Sequence, residues 1–145
     1  MRVAVGFDHG GWTLRDTILE TLREDGHEVL DLGARSPEPS DHPDSALAVA
    51  QAVAHGQVDL GVLACGTGIG MAIAANKVKG AYAANVSDEY SARMARRHNG
   101  ANIVTVGGRT VGPELARDII CVFLNTDLDP DERYERRRRK IRDLE

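Results

Sequence analysis

Apolar residues along this chain keep two alternating rhythms. Arg2 to Phe7 (RVAVGF) is a short β-branched run that stops at Asp8-His9-Gly10-Gly11. From Trp12 to Asp25 the apolar residues Trp12, Leu14, Ile18, Leu19 and Leu22 recur at helical spacing, so the opening predicts strand, glycine turn, helix. Gly26 suits a helix C-terminus, HEVLDL (27–32) predicts a second strand, and the proline-containing loop GARSPEPSDHP follows. Asp44 to His55 is alanine-rich with helical spacing. Val58 to Ala64 (VDLGVLA) is almost unbroken apolar, the pattern of a strand covered on both faces, and it predicts a parallel sheet. A helix over about 70–77, a strand over 81–84, a helix over 88–97, a strand over 102–106 and a helix over 113–124 continue the alternation. Asp129-Pro130-Asp131-Glu132 predicts the start of a last helix, with Asp129 as N-cap, Pro130 in the first helical position and Glu132 closing a capping box.

Five strands alternating with helices predict an α/β fold, a three-layer, doubly wound, Rossmann-like parallel sheet of five strands with a basic helix at its C-terminus. In such a sheet ligands bind beyond the carboxyl ends of the strands, so the function should lie in the strand-end loops. The 145 residues, with no internal repeat and no linker, predict one domain over 1–145. Hydrophobic residues at 42% against 28% charged exclude a disordered or low-complexity chain. No run nears the roughly 18 apolar residues of a membrane span, so a cytoplasmic protein without membrane contact is expected. Cys65 and Cys121 are too few for a disulfide framework, and no His/Cys cluster has zinc-ligand spacing, so no metal is expected.

Charge sharpens the picture. The net charge is −4, but residues 133–145 hold seven basic and three acidic side chains, leaving −8 for the rest. A body that acidic repels phosphate backbones, which argues against the tail being a nucleic-acid arm and leaves it in need of another partner.

Chemistry gathers at the strand ends. Asp8-His9 closes the first strand, where Asp8 could equally cap the helix that follows. Cys65-Gly66-Thr67-Gly68-Ile69-Gly70 closes the third strand just before a helix. Its alternating glycines let backbone N–H groups and the positive helix terminus face an anion. The loop lacks a P-loop lysine and does not match a dinucleotide fingerprint. Cys65 is open to two readings, a thiolate favoured by the helix terminus or a small buried hydrophobe at a strand end. Cys121, within the apolar face of DIICVFL, is a packing residue, as are Met71 and Met94. His98-Asn99-Gly100 could be an ordinary helix stop, and Gly107-Gly108-Arg109 ends the fifth strand.

Taken together, GFDHGG, ACGTGIGMAIAANK, RRHNGAN, VGGRTVG and ERYERRRRKI, in this order, resemble the ribose-5-phosphate isomerase type B family, which also includes the galactose-6-phosphate isomerase subunits. The resemblance runs along almost the whole chain. It implies cofactor-free interconversion of an aldose phosphate and a ketose phosphate, most simply ribose 5-phosphate and ribulose 5-phosphate, through ring opening and an enediolate. By resemblance Cys65 is the base on carbon, and the N–H groups of Gly66, Gly68 and Gly70 face the enediolate oxygen. Thr67 relays a proton between substrate oxygens, His98 and Asp8 open the ring, and Asn99 holds a hydroxyl. The phosphate falls to His9, Arg109, Arg133 and Arg137. Positions 133 and 137 share a helix face, whereas Arg138 is turned about 100° away and is expected to matter much less. One version of the family carries a carboxylate base where this chain has Met71. Two departures, His42 for the usual tyrosine and Tyr134 for a frequent histidine, bear on the choice of sugar. The resemblance further implies a homodimer or tetramer with shared active sites. Competing readings are a catalytically silent sugar-phosphate sensor on the same fold, against which intact Cys65, Thr67, His98 and Asp8 speak, and an isomerase for a hexose 6-phosphate.

Overall fold

A computed structural model describes residues 1–145. Strands β1 (Arg2–Phe7), β2 (Glu28–Asp31), β3 (Leu60–Cys65), β4 (Ala83–Asn85) and β5 (Ile103–Gly107) form one sheet in the order β2-β1-β3-β5-β4, with every pair parallel. The helices are α1 (Arg15–Glu24), α2 (His42–Ala54), α3 (Ile69–Ala75), α4 (Glu89–Arg97), α5 (Pro113–Leu124) and α6 (Glu132–Arg142). The three-layer, doubly wound architecture expected from the alternation is the one observed.

Strand periodicity sorts the core into two. Val3, Val5, Phe7, Val62, Ala64, Val104 and Val106 point to the face covered by α1, α4 and α5, where Ile18, Leu22, Ala92, Ile119, Ile120 and Phe123 pack on them. Ala4, Leu63, Cys65 and Ile103 point to the other face, under Ala46, Val49, Ala50 and Val53 of α2 and Met71 and Ala75 of α3. All six residues of β3 are buried, as its apolar run requires of the central strand. The helix α6 supplies no residue to either core.

Several boundaries differ from the pattern. Trp12–Leu14 forms a single 3-10 turn before α1, so the glycine turn runs three residues further. The helix α2 begins at His42, because Pro43 falls in its first turn, where a proline needs no N–H partner. The strand over 81–84 shifts to 83–85, since Tyr82 N–H is taken by the Asn102 side chain (2.7 Å) rather than by a ladder. The N-cap of α6 is Asp131, not Asp129: Asp131 accepts the Arg133 N–H (2.9 Å), while Asp129 accepts the Asp131 N–H (3.0 Å) in the preceding turn. Pro130 therefore lies outside the helix. No helix is long and apolar enough to cross a membrane.

Candidate active site

The carboxyl ends of β1, β3 and β5 meet backbone to backbone. Asp8, buried at 5% exposure, follows β1, and its Oδ1 accepts the N–H groups of Gly10 (2.8 Å) and Gly11 (3.0 Å). This folds the loop flat onto β3. A Cβ on Gly11 would collide with the Ala64 carbonyl, and one on Gly10 would lie 2.6 Å from the Gly66 nitrogen. From the other side, Gly108 N–H donates to the Cys65 carbonyl (2.8 Å) and Arg109 N–H to the Gly66 carbonyl (3.0 Å). Only glycine permits this approach.

Between these loops lies the Cys65–Gly70 turn. Cys65 is 6% exposed, and its Sγ accepts the Gly68 N–H at 3.1 Å. Gly68 adopts φ +80°, the left-handed conformation that turns the chain from β3 into α3. Thr67 is exposed, and its Oγ1 accepts the Ile69 N–H (3.3 Å), which leaves its hydroxyl proton to donate elsewhere. The Arg109 side chain lies beside Gly66. His9 accepts the Ser40 N–H on Nδ1 (3.2 Å), keeping Nε2 for another partner. His42 stands at the first turn of α2 with Nε2 against Gly70, where a Cβ would strike it. Asp8, His9, His42, Cys65, Thr67, the loop glycines and Arg109 thus share one rim.

The remaining residues singled out from the sequence sit elsewhere. His98 caps the C-terminus of α4, and Asn99 follows it. The chain then enters β5 at its amino end, whereas Gly107 at the far end of β5 is in register with Cys65. The four steps from Ile103 to Gly107 alone span about 13 Å. His98 and Asn99 are therefore at the opposite end of the sheet from Cys65 in the same chain. There His98 stacks on Tyr134 with ring centroids 4.1 Å apart and planes 5° from parallel. The guanidinium of Arg133 lies 4.8 Å and that of Arg137 5.7 Å from the Tyr134 ring centre. His98, Asn99, Tyr134 and Arg137 line a cleft of about 200 Å³. Arg133 and Arg137 share a face, as their spacing predicts.

Arg138 is turned away from the Arg133–Arg137 face, as the spacing predicts. It is the only buried residue of α6, bonded to backbone carbonyls at the end of α4. The turn of about 100° away from Arg137 points it inward rather than into solvent. Its neighbour Glu135 takes hydrogen bonds from Arg142 and Arg138, which hold the carboxyl below its usual range. Cys121 is set apart from Cys65: burial, with Asp25 beside it, pushes its thiol up. No three His, Cys, Asp or Glu side chains converge to hold a metal ion.

Sequence patterns missed Asn85. Its Nδ2 donates to the Thr67 carbonyl and to Thr105 Oγ1 (3.0 Å each), while Thr105 Oγ1 donates to the Gly68 carbonyl (2.9 Å). Its only signal is a polar residue closing an otherwise apolar strand.

Residues 3–141 match the model of a family described as Ribose/Galactose Isomerase. The chain belongs to that family. Ribose-5-phosphate isomerase B of Escherichia coli is 44% identical over 93% of this chain and 91% of its own. A protein of Pectobacterium atrosepticum named D-erythrulose-4-phosphate isomerase is 40% identical over 89% and 86%. The solved type B ribose 5-phosphate isomerase of Trypanosoma brucei is 47% identical, covers 99% of this chain and 98% of that one, and superposes with a TM-score of 0.96. The chain is accordingly an aldose–ketose isomerase of the sugar-phosphate family.

Asn85→Ala should release the Cys65–Gly70 turn. A turnover assay is expected to show kcat/KM lowered by about tenfold, because small displacements of reacting groups cost this much, while the melting temperature moves by only a few degrees. Wild-type kcat/KM would show that the turn holds its shape without Asn85.

Proposed function

We propose that this chain interconverts ribose 5-phosphate and ribulose 5-phosphate with Cys65 as the base, at sites shared between two copies. The observation that carries the reading is the Cys65 thiol at the floor of the glycine turn, with the Gly68 N–H donating to its sulfur at 3.1 Å. A donor aimed at sulfur suits a group that must bear negative charge when it takes a proton from carbon. Met71, at the position where one version of the family carries a carboxylate base, is a fully buried thioether with no group that can take a proton from carbon, which supports the thiol as the base.

The steps follow from the groups present. Asp8, held through one oxygen by two N–H groups, keeps the other to take the proton of the C1 hydroxyl while His98 gives a proton to the ring oxygen, so that the ring C–O bond at C1 breaks and the aldehyde forms, both groups being reset by exchange with solvent. Cys65 removes the proton from C2, and the electron pair of that bond becomes the C1–C2 double bond of the enediolate. Backbone N–H groups at the start of α3 face the oxygen on which charge develops. Thr67, with its hydroxyl proton free, passes a proton between O1 and O2. The proton on Cys65 then returns to C1, giving the ketose with no net change in atoms or electrons.

Arg133 and Arg137 grip the phosphate, with His9 and Arg109 at the opposite rim. His98, Asn99 and these arginines lie a sheet's length from Cys65 in one chain, so the reading requires a partner copy, as a homodimer or a tetramer of such pairs. We read the protein as one cytoplasmic domain that needs no metal or cofactor.

Ribose 5-phosphate is favoured by the relatives that carry that name at 44–47% identity, while the 40%-identical relative named for a tetrose phosphate and the family description keep tetrose and hexose phosphates as alternatives. His42, set against Gly70, is the residue here that adjusts room beside the sugar. A coupled assay over tetrose, pentose and hexose phosphates should give the highest kcat/KM with ribose 5-phosphate. A higher value for another sugar would reassign the substrate.

Cys65→Ala should lower turnover by roughly 10²–10⁴-fold, while calorimetric affinity for the sugar phosphate changes little, because the arginines hold the far end. Near-wild-type turnover in this variant would remove Cys65 from the reaction.

A further inference from the structure

Six arginines lie along α6, and one of them is unlike the rest. Arg138 is 6% exposed. Its Nη1 donates to the carbonyls of Arg97 and His98 (3.3 Å each), its Nη2 to the carbonyl of Asp129 (2.9 Å), and its Nε to Glu135 Oε2 (3.1 Å). All three guanidinium nitrogens are used, three bonds going to main-chain carbonyls. Two of those carbonyls belong to the last turn of α4, which carries His98, and the third to the turn that launches α6. No other side chain of α6 hydrogen-bonds to α4.

Two further features single the contact out. The helix α6 adds nothing to either apolar core, so this polar anchor does the work that buried side chains do for the other helices. The backbone of Gly100 is shaped around the arginine: its φ is +71°, and a Cβ there would lie 2.9 Å from Arg138 Cδ. Four residues before Arg138 on the same helix, Tyr134 stacks on the ring of His98, and one residue before it Arg137 lines the same cleft.

We propose that Arg138 is a positioning residue of the isomerase, which locks the His98 turn and the Tyr134–Arg137 face of α6 into one rigid unit. It touches no reacting atom. With the lock in place, the phosphate held by α6 and the proton exchanged by His98 keep a fixed separation. Without it, α6 and the end of α4 move independently, and a substrate gripped at one end is misplaced at the other. The inference rests on the reading of His98 and Arg137 as site residues.

Arg138→Lys keeps the charge but cannot serve three carbonyls and a carboxylate with one ammonium, and Arg138→Met removes the donors altogether. The steady-state constants of both are measured beside Arg137→Ala and Arg139→Ala, Arg139 being exposed and paired only with Glu132. Arg138→Lys is expected to lose about tenfold in kcat/KM through both kcat and KM, and Arg138→Met more. Arg139→Ala should match wild type. In histidine-selective NMR spectra the His98 signal should shift in both Arg138 variants while His9, His27, His42 and His55 stay in place. If Arg138→Met does not fold, Arg138→Lys decides. Wild-type kcat, KM and His98 signal in a folded Arg138 variant, or a lowered melting temperature alone, would overturn the proposal. An unchanged KM in Arg137→Ala would instead overturn the phosphate grip on which it rests.

Discussion

When all five strands of a sheet run the same way, its two ends become chemically unlike, and each functional group is assigned to one end by its place in the chain. Loops that leave strands gather at the carboxyl end, and loops that leave helices gather at the other. Asp8, Cys65 and Arg109 each follow a strand and meet at the first end. His98 and Asn99 follow α4 and land at the second, one β5 length away. No adjustment of side chains changes this. The proposal of a site shared between copies is the consequence of that direction combined with the roles proposed for these residues.

The two ends are built by different physics. At the carboxyl end the backbone itself is the building material: Gly10, Gly11 and Gly108 let three loops touch main chain to main chain, and Asp8, Asn85 and Thr105 consume the polar groups left over. A turn held this way presents N–H groups that need no rearrangement when charge develops in front of them. At the other end the material is charge. The helix α6 lies on the body through a buried guanidinium and a stacked pair of rings, and within the helix Arg133 and Arg137 rest over the Tyr134 face, which orders both side chains.

Periodicity carried most of the fold, because strands buried on both faces and amphipathic helices leave unmistakable rhythms in the residues of β3, α1 and α5. It failed where side chains rather than patterns decide. Whether Asp129 or Asp131 caps α6 turns on which carboxylate reaches which N–H, and both sequences read alike. Trp12 has the right spacing for a helix, yet Trp12–Leu14 takes the tighter 3-10 form before α1 begins at Arg15. The rim residues were legible since glycines and polar groups at strand ends are rare enough to be noticed, and His42 was noticed as a departure from the family pattern. Asn85 and Arg138 were not legible. Asn85 acts through a carbonyl, which no sequence displays, and Arg138 is hidden by its own neighbours: in RRRRK nothing marks which arginine turns inward until α4 and its carbonyls stand beside it.

The sharing of one site by two copies is tested most directly by complementation. Cys65→Ala and His98→Ala proteins, each inactive alone, are mixed, dissociated under mild conditions and allowed to reassociate, and mixed assemblies are isolated through two different affinity tags. In each mixed two-fold assembly one of the two sites combines an intact Cys65 from one copy with an intact His98 from the other, so about half of the sites in the isolated assemblies are restored. Recovery of activity near that fraction is the predicted result. Mixed assemblies that form and remain inactive would contradict the account, and would return Cys65 and His98 to separate duties within their own chains.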